Sequence, residues 1–447
     1  MKKTILFLAL LIQGGQMLMA QETEVLDLEK AVQIGLEKNY DVKIAINNAA
    51  LAEIEKKIGF GTFFLPVVNA LYTHNYSKED VEQQFATNPE PNQILGAKSD
   101  TENFTIAGIY GFNPESIVSI RRLGKLAEIS ELDAKIAIEN TVAGISSAYY
   151  RLVLELQRND VLQKTLELSK SRLDIAQARY ELGGAGKRDF LTAQVDYNTD
   201  LSLTVSQEQI IQNARINLNE LLAITPDREF MVKDTILIQE HLLLEDLLEN
   251  AYTNNKLFLV TQRLENVAFL QLKEFQAQRL PSINLTGNYI NNTFNSEAGF
   301  LLQNQRQGYN YGVNVNLNLF SGFTLNRRIQ GAKVQKQNAE HALQQYEIQL
   351  NSDIYRAYNT YINNKNLLEI ERKNYQVALE SADIALERFR LGIANYLEFR
   401  DAQVNLLTAE NRLITSIFNI KEQEIELMRL SGKIYFQDSY EEYNPSN

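Results

Sequence analysis

The sequence predicts a mainly α chain with a membrane β-barrel part, built as two copies of one unit. Three observations predict it. A tip motif occurs twice, two very long helical patterns lead into the tips, and two pairs of short segments alternate apolar and polar residues. The motif is Arg388-Phe389-Arg390-Leu391-Gly392 through Ala402-Gln403-Val404, and its twin is Arg179-Tyr180-Glu181-Leu182-Gly183 through Ala193-Gln194-Val195. Eight of the 17 aligned positions are identical. Leu-Gly stops a helix, because glycine reaches the left-handed conformation without a Cβ clash. Asp189 or Glu398 then suits the first turn of the next helix, at the positive end of its dipole. Each copy is thus the tip of a long αα-hairpin.

Residues 1–20 read as a secretory signal. Lys2 and Lys3 precede the apolar run Thr4 to Ile12, and Leu18-Met19-Ala20 offers a cleavage site. Loss of the signal takes the formal charge from −12 to −14, which argues against nucleic-acid binding. The chain has no cysteine, hence no disulfides and no lipid on an N-terminal Cys. No later segment approaches 18 consecutive apolar residues, so no helical membrane span is expected.

The duplication extends beyond the tips. Leu28 to Asn39 matches Leu244 to Asn255, Leu65-Pro66 matches Leu280-Pro281, and Arg121-Arg122 matches Arg327-Arg328. The expected plan is a first repeat over 21–223, a linker over 224–243, a second repeat over 244–432 and a tail over 433–447. The first repeat has a helix, strands at about 66–76 and 103–112, a long helix 115–182, the tip, and a helix 187–223. The second has a helix, strands at about 281–294 and 309–320, a long helix 324–391, the tip, and a helix 395–431.

Tyr311, Val313, Val315, Leu317 and Leu319 alternate with Gly312, Asn314, Asn316 and Asn318, giving one apolar and one wet face. Ile283, Leu285 and Tyr289 alternate with asparagines and Thr286 in the partner strand, and Phe104, Ile106, Gly108, Tyr110 and Phe112 form the apolar face in the first repeat. The strand lengths suit a tilted membrane strand, and the asparagines suit a watery lumen. Residues 77–102 and about 295–308 are polar and read as exposed loops. The 68-residue pattern 115–182 spans roughly 100 Å as a helix, and each flanking helix, about 27–63 and 187–223, roughly 55 Å. Coiled-coil seams run through Val142, Ile145, Tyr149 and Leu152, through Ser169, Leu173 and Ala176, and through Ala378, Ala382, Ala385 and Phe389.

Four strands do not close a barrel, and an open sheet edge in lipid leaves backbone groups unpaired. Copies of the chain must therefore finish it. Two copies supply eight strands with a filled interior, and three supply twelve with an open lumen.

The paired tips, the duplication, the Leu-Pro strand starts and the signal resemble the TolC-like outer membrane efflux proteins over essentially the whole mature chain. The resemblance implies a homotrimer in the outer membrane, a twelve-stranded barrel on a periplasmic α-barrel. Residues 224–243 and 433–447 would then form an equatorial belt. It also implies partners: outer-membrane lipid, a periplasmic adaptor (membrane fusion) protein and, through it, an inner-membrane RND or ABC-type transporter, for drug efflux or type I secretion. The family narrows its periplasmic end with acids after the second tip, and the matching positions are Glu398 and Asp401, with Asp189 at the first tip. Focused negative charge there favours cations. Where the family's best-known gate lock has Tyr and Arg, this chain has Phe389 and Ala394, so that link is missing and Arg388, Arg390 and Arg400 are the nearby cations. Leu182, Gly183, Ala185, Leu391, Gly392 and Ala394 are the expected adaptor-contact residues, as exposed apolar turns.

No enzyme is expected. His74, His241 and His341 lie far apart, and no nucleophile elbow, phosphate loop, metal site or cofactor site is visible. The competing reading is an exported coiled-coil stalk or adhesin without a pore, which explains the helices but not the strands.

Overall fold

A computed structural model describes residues 25–184, 186–233, 235–239 and 241–434. The signal expected at 1–20, Ala185 and nearly all of the tail expected at 433–447 lie outside the described residues. Among the described residues no helix is long and apolar enough to cross a membrane. The elements in order are β1 (Val25–Leu26), α1 (Leu28–Lys38), α2 (Tyr40–Phe64), β2 (Val67–Phe85), β3 (Asn88–Phe112), α3 (Pro114–Glu181) and α4 (Lys187–Leu221). There follow β4 (Met231–Val232), α5 (Leu244–Asn254), α6 (Lys256–Ala277), β5 (Ser282–Ser296), β6 (Gln303–Asn316), α7 (Thr324–Arg390) and α8 (Tyr396–Leu430). The chain divides into two compact units. One comprises residues to 37, 144–238 and 367–421; the other comprises 38–143, 239–366 and from 422 onward.

The segment expected to be one helix over 27–63 is two. Asn39 interrupts it and caps α2, accepting from Asp41 N at 2.9 Å and Val42 N at 3.3 Å. Its counterpart Asn255 caps α6 by accepting from Phe258 N at 2.8 Å. An asparagine cap satisfies amides that have no partner within the helix, so the break is stable wherever the chain bends.

In the unit containing residues 38–143, the order β2-β3-β5-β6 forms one antiparallel sheet. Its register aligns five apolar rows on one face. They run from Phe112, Ile283 and Val315, through Tyr110, Leu285 and Val313, then Val68 and Tyr311, then Ile106, Tyr289 and Tyr309, to Tyr72 and Phe104. The next row on that face holds His74, Glu102, Thr293 and Gln305, and the apolar character ends. From Phe104 to Phe112 the band is roughly 27 Å along the strand at about 3.4 Å per residue, close to the roughly 25 Å apolar belt of a membrane barrel. The other face carries Asn69, Asn288 and Asn310 in one row and Asn103, Asn292 and Arg306 in another. Strands β2 and β6 are edges of this sheet.

Residues 77–102 are not the expected loop. The β2–β3 ladder continues with Ser77 opposite Ser99 and Glu82 opposite Gln93, as far as Phe85 opposite Asn88, with register shifts after Glu79 and Gln83. Apolar alternation failed to mark it because its few apolar residues, such as Val81 opposite Ile94, set no period, whereas backbone pairing needs no apolar face. Ser77 and Ser99 hydroxyls meet at 2.8 Å, and Gln93 Nε2 donates to Glu82 at 2.8 Å. The β5–β6 turn leans on this hairpin, with Glu297 N donating to Lys98 O at 2.9 Å. At the other end, residues 317–320 have left the ladder.

In the unit containing 144–238, β1 and β4 pair in parallel, so part of the expected linker is a short strand. Tyr149 joins them: its hydroxyl donates to Leu26 O and accepts from Lys233 N, both at 3.1 Å. Ile145, Leu152, Val153 and Leu154 of α3 are fully buried beside it. At these densities a side chain the size of Leu or Ile contributes about 1.5–3 kcal/mol on burial.

Candidate functional site: the paired hairpin tips

Both tips lie in the unit containing residues 144–238. Each helix entering a tip ends in the same way. Gly183 and Gly392 both have φ of +76°. Gly183 N donates to Tyr180 O at 3.0 Å and Gly184 N to Arg179 O at 2.8 Å, while Gly392 N donates to Phe389 O at 3.0 Å and Ile393 N to Arg388 O at 2.9 Å. These paired bonds return the orphan carbonyls of the last turn to the chain. Each tip is also closed by an aromatic pair at matching positions. Tyr180 stacks on Phe190 with centroids 5.9 Å apart, and Phe389 on Phe399 at 5.5 Å.

The restarts differ. Asn395 caps α8 by accepting from Glu398 N at 2.9 Å, whereas Gly186 precedes α4 with no side-chain cap. Glu398 is half-buried and pairs with Arg388 at 2.7 Å; Asp401 and Asp189 are exposed. Arg390 pairs with Glu387 at 2.8 Å. Leu182 and Leu391 are 87% and 72% exposed, and Ile393 beside them is exposed too. Ala394 is buried, in a cluster with Ala382, Ala385, Phe389, Phe399 and Ala402, so it supports the tip from behind. Ala185 lies outside the described residues.

Phe389, which has no phenolic hydroxyl, is held by the first hairpin. The Arg179 guanidinium lies 5.0 Å over its ring and donates to Phe389 O at 2.9 Å. A cleft of about 480 Å³ runs beside this contact, lined by Arg188, Asp189, Ala394 and Leu397 among others.

Farther from the tips, α3, α4 and α8 enclose a polar network that the sequence did not reveal. Arg172, 1% exposed, donates through Nη1 to Gln403 Oε1 at 2.9 Å and through Nη2 to Asp196 Oδ2 at 3.2 Å. Its guanidinium also lies 4.9 Å from the Tyr396 ring centroid. Arg400 forks onto Asp200, with Nη1 to Oδ2 at 2.8 Å and Nη2 to Oδ1 at 3.1 Å. Ser169 donates to Asp200, Tyr396 to Asp196, and Gln403 Nε2 to Ser169 Oγ and Thr165 O, each at 3.0 Å from Gln403. Burial, and then the neighbouring Arg400, push the Arg172 guanidinium down to about 10. Asp196 and Asp200 are spaced i,i+4 and Arg400 and Gln403 i,i+3, a hint of one face. Spacing alone does not distinguish a solvated face from a buried one.

Residues 247–433, essentially the second copy, match the family model for outer membrane efflux proteins. The toluene efflux pump outer membrane protein TtgC of Pseudomonas putida is 22% identical over 92% of this chain and 84% of its own length. Outer membrane protein TolC of Salmonella enteritidis is 20% identical over 70% of this chain and 65% of its own. Among solved structures, the Campylobacter jejuni CmeC outer membrane channel superposes with a TM-score of 0.79 at 16% identity, covering 93% of this chain and 88% of that one. VceC from Vibrio cholerae gives 0.75 at 16% identity, covering 91% and 96%. The second copy of this chain thus matches the outer membrane efflux protein domain. The solved outer membrane channels share the fold of this chain. Its mainly helical fold with a few strands is the one expected, and its relatives are channel proteins rather than enzymes.

Proposed function

We propose that the chain is the exit duct of a tripartite pump: a homotrimer that passively connects a periplasmic adaptor and an inner-membrane RND or ABC-type transporter to the exterior. The observation that carries this reading is the four-stranded sheet with an apolar face and two open edges, β2 and β6. In hydrocarbon those edges need partners, and three copies supply a twelve-stranded wall with room for a lumen. The asparagine rows would line that lumen.

In this reading Glu398 and Asp401, with Asp189 from the other tip, set the charge of the periplasmic entrance, and Arg388 moderates it by pairing with Glu398. Arg179 on Phe389 stands in for the missing gate lock. Leu182, Gly183, Leu391 and Gly392, with Ile393, form the adaptor-contact tips, and Ala394 packs beneath them. Ala185 belongs to the same proposed surface. Export through a type I secretion system uses the same duct with a different inner-membrane partner.

Single-channel conductance of the purified protein in a planar bilayer tests the reading. The wild type should give small cation-selective steps, and a monomer without conductance would remove the duct.

A further inference from the structure

We propose that the asparagine face of the sheet carries a transient binding station for amphipathic anions, with Arg306 holding the charge and Ile290 and Phe294 the apolar body. This rests on the trimeric duct proposed above, which turns that face toward the lumen, and it names a class of cargo that the barrel favours. Two observations carry it.

The first is the charge pattern of the face. On β5, Asn284, Asn288 and Ile290 are half-buried while Ile283, Leu285 and Tyr289 are exposed. A sheet that curls toward one face crowds the side chains on it, so the asparagine face is the concave one. From the row of Val67 to the row of Ser77 it holds a single charged residue in each chain, Arg306. The next carboxylate on this face of the ladder is Glu79, three rows beyond Arg306. Asn288 Nδ2 donates to Asn310 Oδ1 at 3.1 Å, whereas the Arg306 guanidinium, paired in the ladder with Asn292, is bound to no described residue. Its donors are left for something that passes.

The second observation is what surrounds that charge. Ile290 and Phe294 interrupt the asparagine and threonine pattern of β5, two residues to either side of Asn292. They are therefore the diagonal cross-strand neighbours of Arg306, within reach of a long side chain. Next to Arg306 on the same face comes Gly308, directly opposite Ile290, and nothing lies within 4 Å of a Cβ added there. A guanidinium thus stands beside an open notch with apolar walls. Its planar fork matches the paired oxygens of a carboxylate or sulfonate. The notch takes a ring or a branched chain. An inorganic anion leaves the notch empty, and a neutral apolar molecule leaves the fork unused. Water in the lumen keeps the grip weak, as release from a conducting path requires.

Block of single-channel current tests the station. Naphthalene-2-sulfonate carries charge and ring together, sulfate the charge alone and 2-naphthol the ring alone. In planar bilayers at neutral pH, the sulfonate should reduce wild-type conductance at concentrations where neither of the others does. Its half-blocking concentration should rise about tenfold in Arg306→Gln, the scale of one lost charge-assisted bond. It should also rise in Phe294→Asn, where the charge stays in place. Equal block by sulfate, or an unchanged half-blocking concentration in Arg306→Gln, overturns the station. Should Arg306→Gln fail to assemble, Phe294→Asn decides. A wild type that conducts and is not blocked by the sulfonate removes the station alone; a wild type that does not conduct removes the duct, and the station with it.

Discussion

Arg400 grips Asp200 with both ends of its guanidinium, at 2.8 and 3.1 Å, across the seam between α8 and α4. A bidentate pair of this kind depends on a planar fork, which lysine lacks. Asp200→Ala leaves Arg400 facing a buried hole, and Arg400→Lys keeps the charge but loses the second bond. The alanine variant should lose roughly 3 kcal/mol, the scale for breaking a buried pair from one side. Thermal unfolding of the detergent-solubilised protein checks this: the midpoint should fall by several degrees for Asp200→Ala and by less for Arg400→Lys. Equal midpoints for wild type and Asp200→Ala would show that the pair carries no stability.

The acids proposed for the entrance make an electrical prediction. Neutralising Glu398 and Asp401 together, as Glu398→Gln/Asp401→Asn, should lower the cation preference measured as a reversal potential across a salt gradient. Arg388, released from its 2.7 Å bond to Glu398, should move the preference further toward anions. Unchanged selectivity would remove these acids from the conducting path.

At the tips the prediction is conformational. Nothing lies within 4 Å of a Cβ added at Gly183, and only an Arg179 nitrogen at 3.9 Å does so at Gly392. Space therefore does not decide these positions; the +76° φ does. Valine there should cost about 1–3 kcal/mol of backbone strain and open the tip. Efflux complementation should fail for Gly183→Val and Gly392→Val while membrane insertion proceeds normally. Full complementation by both variants would detach the tips from pump assembly.

Neighbouring residues on β6 should behave oppositely. Val313 lies in the apolar rows and Asn314 on the asparagine face. Val313→Arg puts a charge against lipid one row from the centre of the band, at a cost of about 2 kcal/mol. It should reduce the amount of protein recovered folded from outer membranes. Asn314→Arg should insert and change conductance instead. Similar recovery of both variants would invert or abolish the assigned faces.

Glu410 offers a test in pH. Burial raises its carboxyl above the ordinary value of 4.5, with Lys164 opposing and Asp160 adding to the shift. The folded state then holds the proton more tightly than the unfolded state. Ionisation costs nothing below 4.5, and the cost grows as pH rises through the shifted value. Glu410→Gln should melt with the wild type at pH 4 and above it at pH 7.5. A gap that widens on acidification would refute this assignment.

The architecture was legible where physics writes a period into the sequence. Val142, Ile145, Tyr149 and Leu152 repeat at helical spacing and are all buried, and Ile283, Leu285 and Tyr289 alternate and share one face. Leu-Gly marked both helix ends because only glycine takes the required φ without strain. Three things escaped. The break at Asn39 rests on a capping bond inside an unbroken helical pattern. The ladder beyond Tyr76 is mostly polar and has no apolar period to announce it. Arg172, Asp196, Asp200 and Arg400 look like any solvated charges until three helices close around them, since partner and burial belong to the assembled structure.

The polar ladder from Ser77 to Asp100 carries one more consequence. It begins beyond the last apolar row and runs to the hairpin turn, about nine residues or roughly 30 Å along β2. Its form is set by main-chain pairing, and neither of its faces is committed to a core or to lipid. Selection can therefore rewrite its surface chemistry wholesale while the apolar rows remain as they were.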